Sequence, residues 1–241
     1  MLALALGLAT GGGAAAETAA LAPLRIVTTH LPPLVMEPGG QQPGVLRELV
    51  DALCERLQVP TDISFVPWRR ALLVATTMPR TAIFPLTRLP EREAQFRWLA
   101  PVYKEEYLFM AQRGSRFDVG HPEQMTGKRI ALLRGGAQAA MLHELGFRNL
   151  VEASSIDDIH RYLLGGMADA VFGERAIVQS SLRMRGAERH FVLGRTVRST
   201  QAWLAGSLDI AEAEAQRYRM AMAALVADRT QRRIFRKYGI A

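Results

Sequence analysis

From Leu24 onward, short apolar runs alternate with amphipathic stretches, and the chain makes this alternation twice in succession. A strand followed by a helix that covers it is the pattern of βα units, so the expected fold class is α/β with a largely parallel sheet. In the first series LRIVTT at 24–29 reads as a strand, followed by a loop rich in Pro and Gly (Pro32, Pro33, Pro38, Gly39, Gly40, Pro43). Val45, Leu46, Leu49, Val50, Leu53, Cys54 and Leu57 then recur at helical spacing, which predicts a helix over 44–58. DISFVP at 62–67 is the next strand, WRRALLVATT a helix and TAIFPL at 81–86 a third strand.

The second series begins after Gly127. It comprises RIALL at 129–133, a helix over 136–145, NLVEA at 149–153, a helix over 155–164 and ADAVF at 168–172. Ser155 with Asp158 three residues on predicts a capped helix start, with Asp where capping boxes carry Glu. A helix over 174–184, a strand at 190–193, an extended TQAWLAG at 200–206 and terminal helices at 209–226 and 228–238 complete the chain. EYLFMAQ at 106–112 joins the two series without a Pro/Gly linker. Two α/β lobes with a cleft between them are therefore expected: 24–108 plus 203–241 as lobe 1, 112–196 as lobe 2, and 106–112 and 198–206 as hinge segments.

Composition limits what such a chain does. Of 241 residues 49% are hydrophobic and 22% charged, enough apolar material for a buried core and against disorder. The lone cysteine, Cys54, excludes internal disulfides and any multi-cysteine zinc or iron–sulfur site, and its place on an apolar helix face makes it a core thiol. The net charge is +7, and only three of the 30 basic residues are lysines. The arginines are scattered from Arg25 to Arg236 without zinc-finger spacing or an RNP-like motif, so no nucleic-acid partner is expected. The densest group, Arg229, Arg232, Arg233, Arg236 and Lys237, reads as the solvated face of a terminal helix. At the other end, an apolar stretch leads to Ala14-x-Ala16, which predicts a signal peptide over 1–16 and a periplasmic mature chain beginning near Glu17. The Gly run at 11–13 cuts that stretch short of the ~20 apolar residues of a spanning helix, so no membrane insertion is expected.

Four segments, in order, carry a resemblance. LRIVTTHLPPLV with Gly44 and Glu48 is similar to an opening strand, a Pro-Pro-aromatic loop and a Gly-x-x-x-acidic helix start. PLTRLPEREAQFRWLAPVY is similar to a Thr-x-Thr-x-Glu-Arg segment ending in Pro-Tyr; GGMADAVFGE resembles a Gly-x-x-Asp-Ala block closed by an acid, and DRTQRRIFRKYGI a last helix with Lys-Tyr-Gly. Together they resemble the family 3 extracellular solute-binding proteins, of the type II periplasmic binding fold, over nearly all of 24–240. The resemblance implies a clamp for a small zwitterion or acid. Arg92 matches the arginine whose planar fork holds a carboxylate; an ion pair with Glu91 or Glu93 is the alternative. Glu174 falls at the acidic position that receives an ammonium group, while Asp169 suits a turn or cap. Gly135, Gly136 and Ala137 lie where a strand enters a helix, offering backbone N–H groups to an anion or simply making a tight turn. Gln138 is either a contact or a surface residue, Trp68 a flat apolar wall or core, and Arg69 a second guanidinium or a solvated one. Thr87 and His30 complete the candidate ligand-binding set.

Three departures qualify the implied ligand. Leu89 stands where the family usually has a Thr, Leu34 where an aromatic covers the ligand, and Gly-Gly-Ala where a Gly-Thr or Gly-Ser is found. The expected function is a monomeric periplasmic solute-binding protein, without cofactor or metal and not an enzyme. It captures a small polar or acidic solute, an amino acid or organic acid, and delivers it to the permease of an ABC transporter. The alternatives are a periplasmic enzyme resembling cyclohexadienyl dehydratase, with Glu174 or His30 as general acid or base, and an accessory subunit of a periplasmic enzyme. No Ser/His/Asp set, metal-binding histidine spacing or phosphate-binding Gly-rich sequence names a mechanism.

Overall fold

The computed structural model describes residues 20–40 and 42–240, so the signal peptide expected at 1–16 lies outside the described residues. In the first series, β1 (Arg25–Thr28), α1 (Val45–Leu57), β2 (Asp62–Phe65), α2 (Trp68–Thr77) and β3 (Thr81–Thr87) follow one another, with β1 parallel to both β2 and β3. Every residue of β3 is buried, as a strand covered on both faces must be. The α1 stripe packs as its spacing predicts, with Val45, Leu46, Leu49, Val50, Leu53 and Cys54 all buried. Burial raises the pKa of the Cys54 thiol, consistent with a packing role. Gly44 turns the loop into α1 at a φ of 91°, and a Cβ there would lie 2.7 Å from the Leu34 carbonyl oxygen, so the turn needs glycine.

Two long strands follow that the local sequence only half announces. β4 (Arg97–Gln112) has 16 residues. The second series then runs β5 (Ile130–Leu133), α3 (Gln138–Glu144), β6 (Leu150–Ala153), α4 (Ile156–Leu164), β7 (Ala170–Glu174) and α5 (Arg175–Met184), and β8 (Phe191–Gly206) is again 16 residues long. The separate strands expected at 190–193 and 200–206 are therefore one, and the segment at 106–112 is the end of a strand that starts ten residues earlier than its apolar run. Residues 194–197 fall outside both expected segments because their strand conformation comes from pairing with β4, which local sequence does not encode. The helix expected from Gly136 begins at Gln138, since Gly135 adopts a left-handed φ of 74° and Gly136 N–H closes a turn on the Leu133 carbonyl. Ser155 caps α4 as expected, accepting from Asp158 N–H at 3.1 Å.

β4 and β8 pair antiparallel from Arg97↔Gly206 to Gln112↔Phe191, a ribbon about 50 Å long at the usual strand rise. β3 joins β8 at one end, from Ala82↔Gly206 to Thr87↔Ala202, while β7 joins β4 towards the other, from Tyr107↔Glu174 to Met110↔Val171. The resulting sheet order is β2-β1-β3-β8-β4-β7-β5-β6, with the two parallel halves on opposite edges of the ribbon. The terminal helices, α6 (Glu212–Ala227) and α7 (Thr230–Lys237), pack on α1, with α6 also against β4. Glu48 anchors them by accepting from Lys237 Nζ and Tyr238 OH at 2.7 and 2.8 Å. Arg229, Arg232, Arg233 and Arg236 are exposed around buried Ile234.

Three apolar clusters hold the elements together. One packs α1 and α6 on the first half-sheet, another gathers Phe109, Phe147 and Phe172 on the second, and a third crosses between the halves. In the crossing cluster Val27, Leu31 and Trp68 meet Leu133, Ile159, Val171 and Val178, so the described state is a closed one. Because Leu49 is fully buried and Leu73 is 61% exposed, Leu49→Ala is expected to lose about 2–5 kcal/mol of stability and Leu73→Ala no more than about 0.5 kcal/mol. Urea unfolding of the two variants checks the assignment of the core.

Candidate functional site

A narrow cavity of about 60 Å³ lies against β4 where the two half-sheets meet. At roughly 10–15 Å³ per water it has room for only a few. Its walls are mostly apolar, with Leu34, Trp68, Ile159 and Val178 among them, and its polar lining consists chiefly of Thr87, Glu105, Tyr107, Gln138, His160 and Glu174. Among the described residues, no lysine or arginine lines it.

Two carboxyls dominate the chemistry. Glu174 ends β7 and caps α5, where Oε2 accepts from Ile177 N–H at 3.0 Å, and Oε1 accepts from Tyr103 OH at 3.0 Å. Glu105 is held by hydroxyls alone: Oε1 accepts from Tyr107 OH at 3.0 Å and Thr87 Oγ1 at 3.1 Å, and Oε2 from Thr200 Oγ1 at 2.9 Å. The strand fixes this arrangement, since Tyr103, Glu105 and Tyr107 alternate onto one face and Glu105 stands opposite Thr200 on β8. Burial lifts the Glu105 carboxyl to about 7, outweighing the three hydroxyls that favour its anion, and Glu174 adds its own charge to the upward shift. Glu174 is raised in the same direction by burial, against the pull of its backbone and tyrosine donors.

The cleft is latched by one carbonyl. Gly135 O, on the turn between β5 and α3, accepts from Trp68 Nε1 at 3.2 Å and from Arg92 Nη2 at 3.2 Å, so two first-series side chains hold the second-series loop. Arg92 comes from a single 3-10 turn (Pro90–Arg92) and also donates Nη1 to Thr87 O at 3.1 Å. It is buried with no ion-pair partner among the described residues, and burial lowers its pKa. Glu93, the neighbour considered for Arg92, pairs with Arg88 instead at 2.7 Å.

The structure gathers Trp68, Thr87, Gly136, Ala137, Gln138 and Glu174 around the cavity, with Leu34 supplying apolar wall, at the position where the resembled family carries an aromatic. Three expected ligand residues stand apart. Arg92 does not line the cavity because its fork is engaged by two carbonyls. His30 lies in an adjoining outer chamber of about 420 Å³, its Nδ1 accepting from Glu37 N–H at 3.2 Å. Arg69 is exposed and lines neither space, since it follows Trp68 on the helix and points off the face that the indole buries. Asp169 forms a fork with Arg129, at 2.7 and 3.2 Å, and joins β5 to the start of β7 in the turn role. Glu105, Tyr103, Tyr107 and His160 escaped sequence reasoning. The available signal for the first three was an acid flanked at spacing two by tyrosines within an apolar strand. For His160, lone on an amphipathic helix, sequence gave none. Among the described residues, no cluster of His, Cys, Asp or Glu is placed to hold a metal, and no helix is long and apolar enough to cross a membrane.

Two outcomes follow from this geometry. Trp68→Phe keeps the ring but removes a donor to Gly135 O, about 0.5–1.5 kcal/mol of closed-state stabilisation, so small-angle scattering of the variant is expected to show a larger radius of gyration. The folded Glu105 carboxyl keeps its proton up to about pH 7, against an ordinary 4.5, so stability is lost as pH rises from 4.5 through 7. Glu105→Gln removes this loss, and its stability relative to the unaltered protein is expected to improve by roughly 3 kcal/mol between pH 5 and 8 in ligand-free urea unfolding. His160, lowered to about 4 by burial, works in the opposite sense as pH falls below 6.5, but it is common to both proteins and cancels in the difference.

No family model matches the chain, and no curated protein matches it in sequence. Solved structures do match. A mutant arginine-binding protein, ArgBP from T. maritima, superposes with a TM-score of 0.78 at 17% identity, over 89% of this chain and 93% of that one. A histidine kinase sensor domain with similarity to periplasmic binding proteins gives 0.80 at 20% identity, over 89% and 95%. The GluR0 ligand-binding core from Nostoc punctiforme, in complex with L-glutamate, gives 0.76 at 17% identity, over 89% and 98%. With this sheet order, ribbon and cleft, the chain has the two-lobed type II periplasmic-binding-protein fold.

Proposed function

We propose that this chain is a periplasmic solute-binding protein, not an enzyme, that closes on a small ammonium-bearing solute, amino acids included, and presents the closed form to an ABC transporter permease. The observation that carries the reading is the cavity itself: two buried carboxyls, Glu105 and Glu174, with no lysine or arginine among the described residues that line it. A buried acid without a positive partner is costly to ionise, and a ligand ammonium placed between the two supplies that partner. Glu174 belongs to the second series, whereas Thr87 and the Trp68 wall belong to the first. A ligand touching both is bound more tightly by the closed state and shifts the population towards it. The lobes would be 24–108 plus 203–241 and 112–196, bending about the β4–β8 ribbon. In the open state Gly135 O leaves Arg92, whose guanidinium is then available to a carboxylate entering with the ammonium. ArgBP and the arginine-bound ancestral protein of the same fold, named for an amino acid, are consistent with this ligand class.

A thermal-shift series of primary amines, amino acids and amine-free organic acids tests the proposal, since a ligand at 100 times its dissociation constant adds about 2.7 kcal/mol to folded-state stability. Amines and amino acids are expected to raise the melting midpoint, and organic acids alone are not; the reverse ranking rejects the ammonium reading. Calorimetric titration then separates the two ends of an amino acid. Arg92→Ala is expected to weaken binding by about 2–5 kcal/mol, while Glu174→Gln weakens amines and amino acids but leaves any residual affinity for organic acids in place.

One observation favours a second reading, a dehydratase-like enzyme. Burial raises the Glu105 carboxyl to about 7, the range suited to a general acid or base at neutral pH. Turnover of arogenate or prephenate, abolished in Glu105→Gln, is the outcome that would replace binding by catalysis.

A further inference from the structure

His160 is a buried polar group that the proposed ammonium site does not use. It sits on α4, is 4% exposed, lines the inner cavity and packs edge-on against Phe191. Its Nε2 lies 2.7 Å from Ser181 Oγ on α5, while its Nδ1 meets no protein partner. Behind Ser181, Arg185 Nη1 donates to the hydroxyl at 2.6 Å and to the Ser181 carbonyl at 3.0 Å, and Arg185 Nη2 is paired with Asp157.

Hydrogen-bonding capacity fixes the direction of this chain. A guanidinium only donates, so Ser181 Oγ accepts from Arg185 and its own hydrogen is left for His160 Nε2. Nε2 is then the acceptor, and the neutral ring carries its hydrogen on Nδ1. The opposite tautomer would aim Nε2–H at Ser181 and leave the hydroxyl hydrogen without an acceptor in a site where Ser181 is itself buried. Burial and the nearby Arg185 charge keep the ring neutral, with its pKa lowered to about 4 against the weaker opposing pull of Asp157.

We propose that His160 is a specificity-determining residue that offers Nδ1–H to the cavity as an uncharged donor, selecting solutes that carry a hydroxyl or carbonyl oxygen beside the ammonium group. The inference rests on the proposed binding function and adds to it a second contact, from α4. A neutral donor does nothing for a hydrocarbon amine, whereas an amine with an oxygen acceptor satisfies a hydrogen that otherwise has no partner. Gln138, whose Oε1 is also unpartnered in the lining, is the complementary acceptor for a hydroxyl hydrogen.

The test uses 3-amino-1-propanol and n-butylamine, which are equal in heavy atoms and differ in one oxygen, with affinities from thermal shift on the whole chain. The amino alcohol is expected to bind the unaltered protein about three- to tenfold more tightly than butylamine, the worth of one net hydrogen bond. His160→Phe is expected to erase that preference, and His160→Asn, whose amide N–H takes the Nδ1 position, to restore much of it. Equal binding of the two amines, or a preference unchanged in His160→Phe, overturns the role of His160 and leaves the binding function standing. Failure of both amines to bind while amino acids raise the melting midpoint overturns this inference and leaves the binding function standing; failure of amines and amino acids alike overturns both. Independently of any ligand, long-range 1H–15N spectra are expected to show His160 neutral with its hydrogen on Nδ1 from pH 5 to 8. A hydrogen on Nε2 overturns the inference even if both variants fold poorly.

Discussion

The antiparallel pairing of β4 with β8 is the constraint on which the rest of the structure depends. Sixteen residues on each side give the pair a continuous ladder through both halves of the molecule, and each half-sheet is attached to only one edge of it. Between those attachments, from Lys104↔Gln201 to Glu106↔Ser199, the backbone is tied chiefly to itself, and the register slips on either side of that stretch, at Pro101/Tyr103 and Tyr107/Leu108. Such irregularities locally relax and twist a ladder. A ribbon of this kind is stiff along its length yet able to bend between the bodies it carries, as the proposed lobe closure requires.

The same ribbon sets the electrostatics. Because Tyr103, Glu105 and Tyr107 share one face, a carboxyl is delivered to the floor of the cleft already ringed by hydroxyls. On the other face, in a more exposed setting, Glu106 accepts from Thr196 and Arg175, both at 3.0 Å, and these hydrogen bonds hold its pKa low. Adjacent glutamates thus receive opposite shifts from the alternation of a strand. Trp68 and Arg92 reach across to Gly135 O beside the cavity, and both of its acids, Glu105 and Glu174, are buried. Under the proposed function, acids left unpaired in this way make a ligand cation a source of stability for the closed state.

The sequence is most legible where structure is local. The stripe on α1, the capped start of α4, the fully buried β3 and the glycine turn at Gly44 each depend on residues within a few positions of one another. The site is less legible in proportion to how far apart its parts lie. Trp68, Thr87, Gly136, Ala137, Gln138 and Glu174 of the candidate set line the cavity, but Arg92 is turned to two carbonyls, one 43 residues away. No spacing rule anticipates an acceptor that arrives on another half-sheet. His160 and Ser181 are similarly brought together from two helices 21 residues apart.

By itself the sequence determined the α/β class, the doubled βα order, the buried faces of the helices and the resemblance to solute-binding proteins. These follow from periodicity and from short motifs, and both are written in neighbouring residues. Tertiary structure decided that 191–206 is one strand, that the terminal helices pack on α1, and that Glu105 is a carboxyl near neutrality instead of a solvated acid. The physical reason is the same in each case: a strand partner, a packing surface and a desolvated environment are all supplied by residues distant in the chain, and the energy of each exists only once the fold has assembled them.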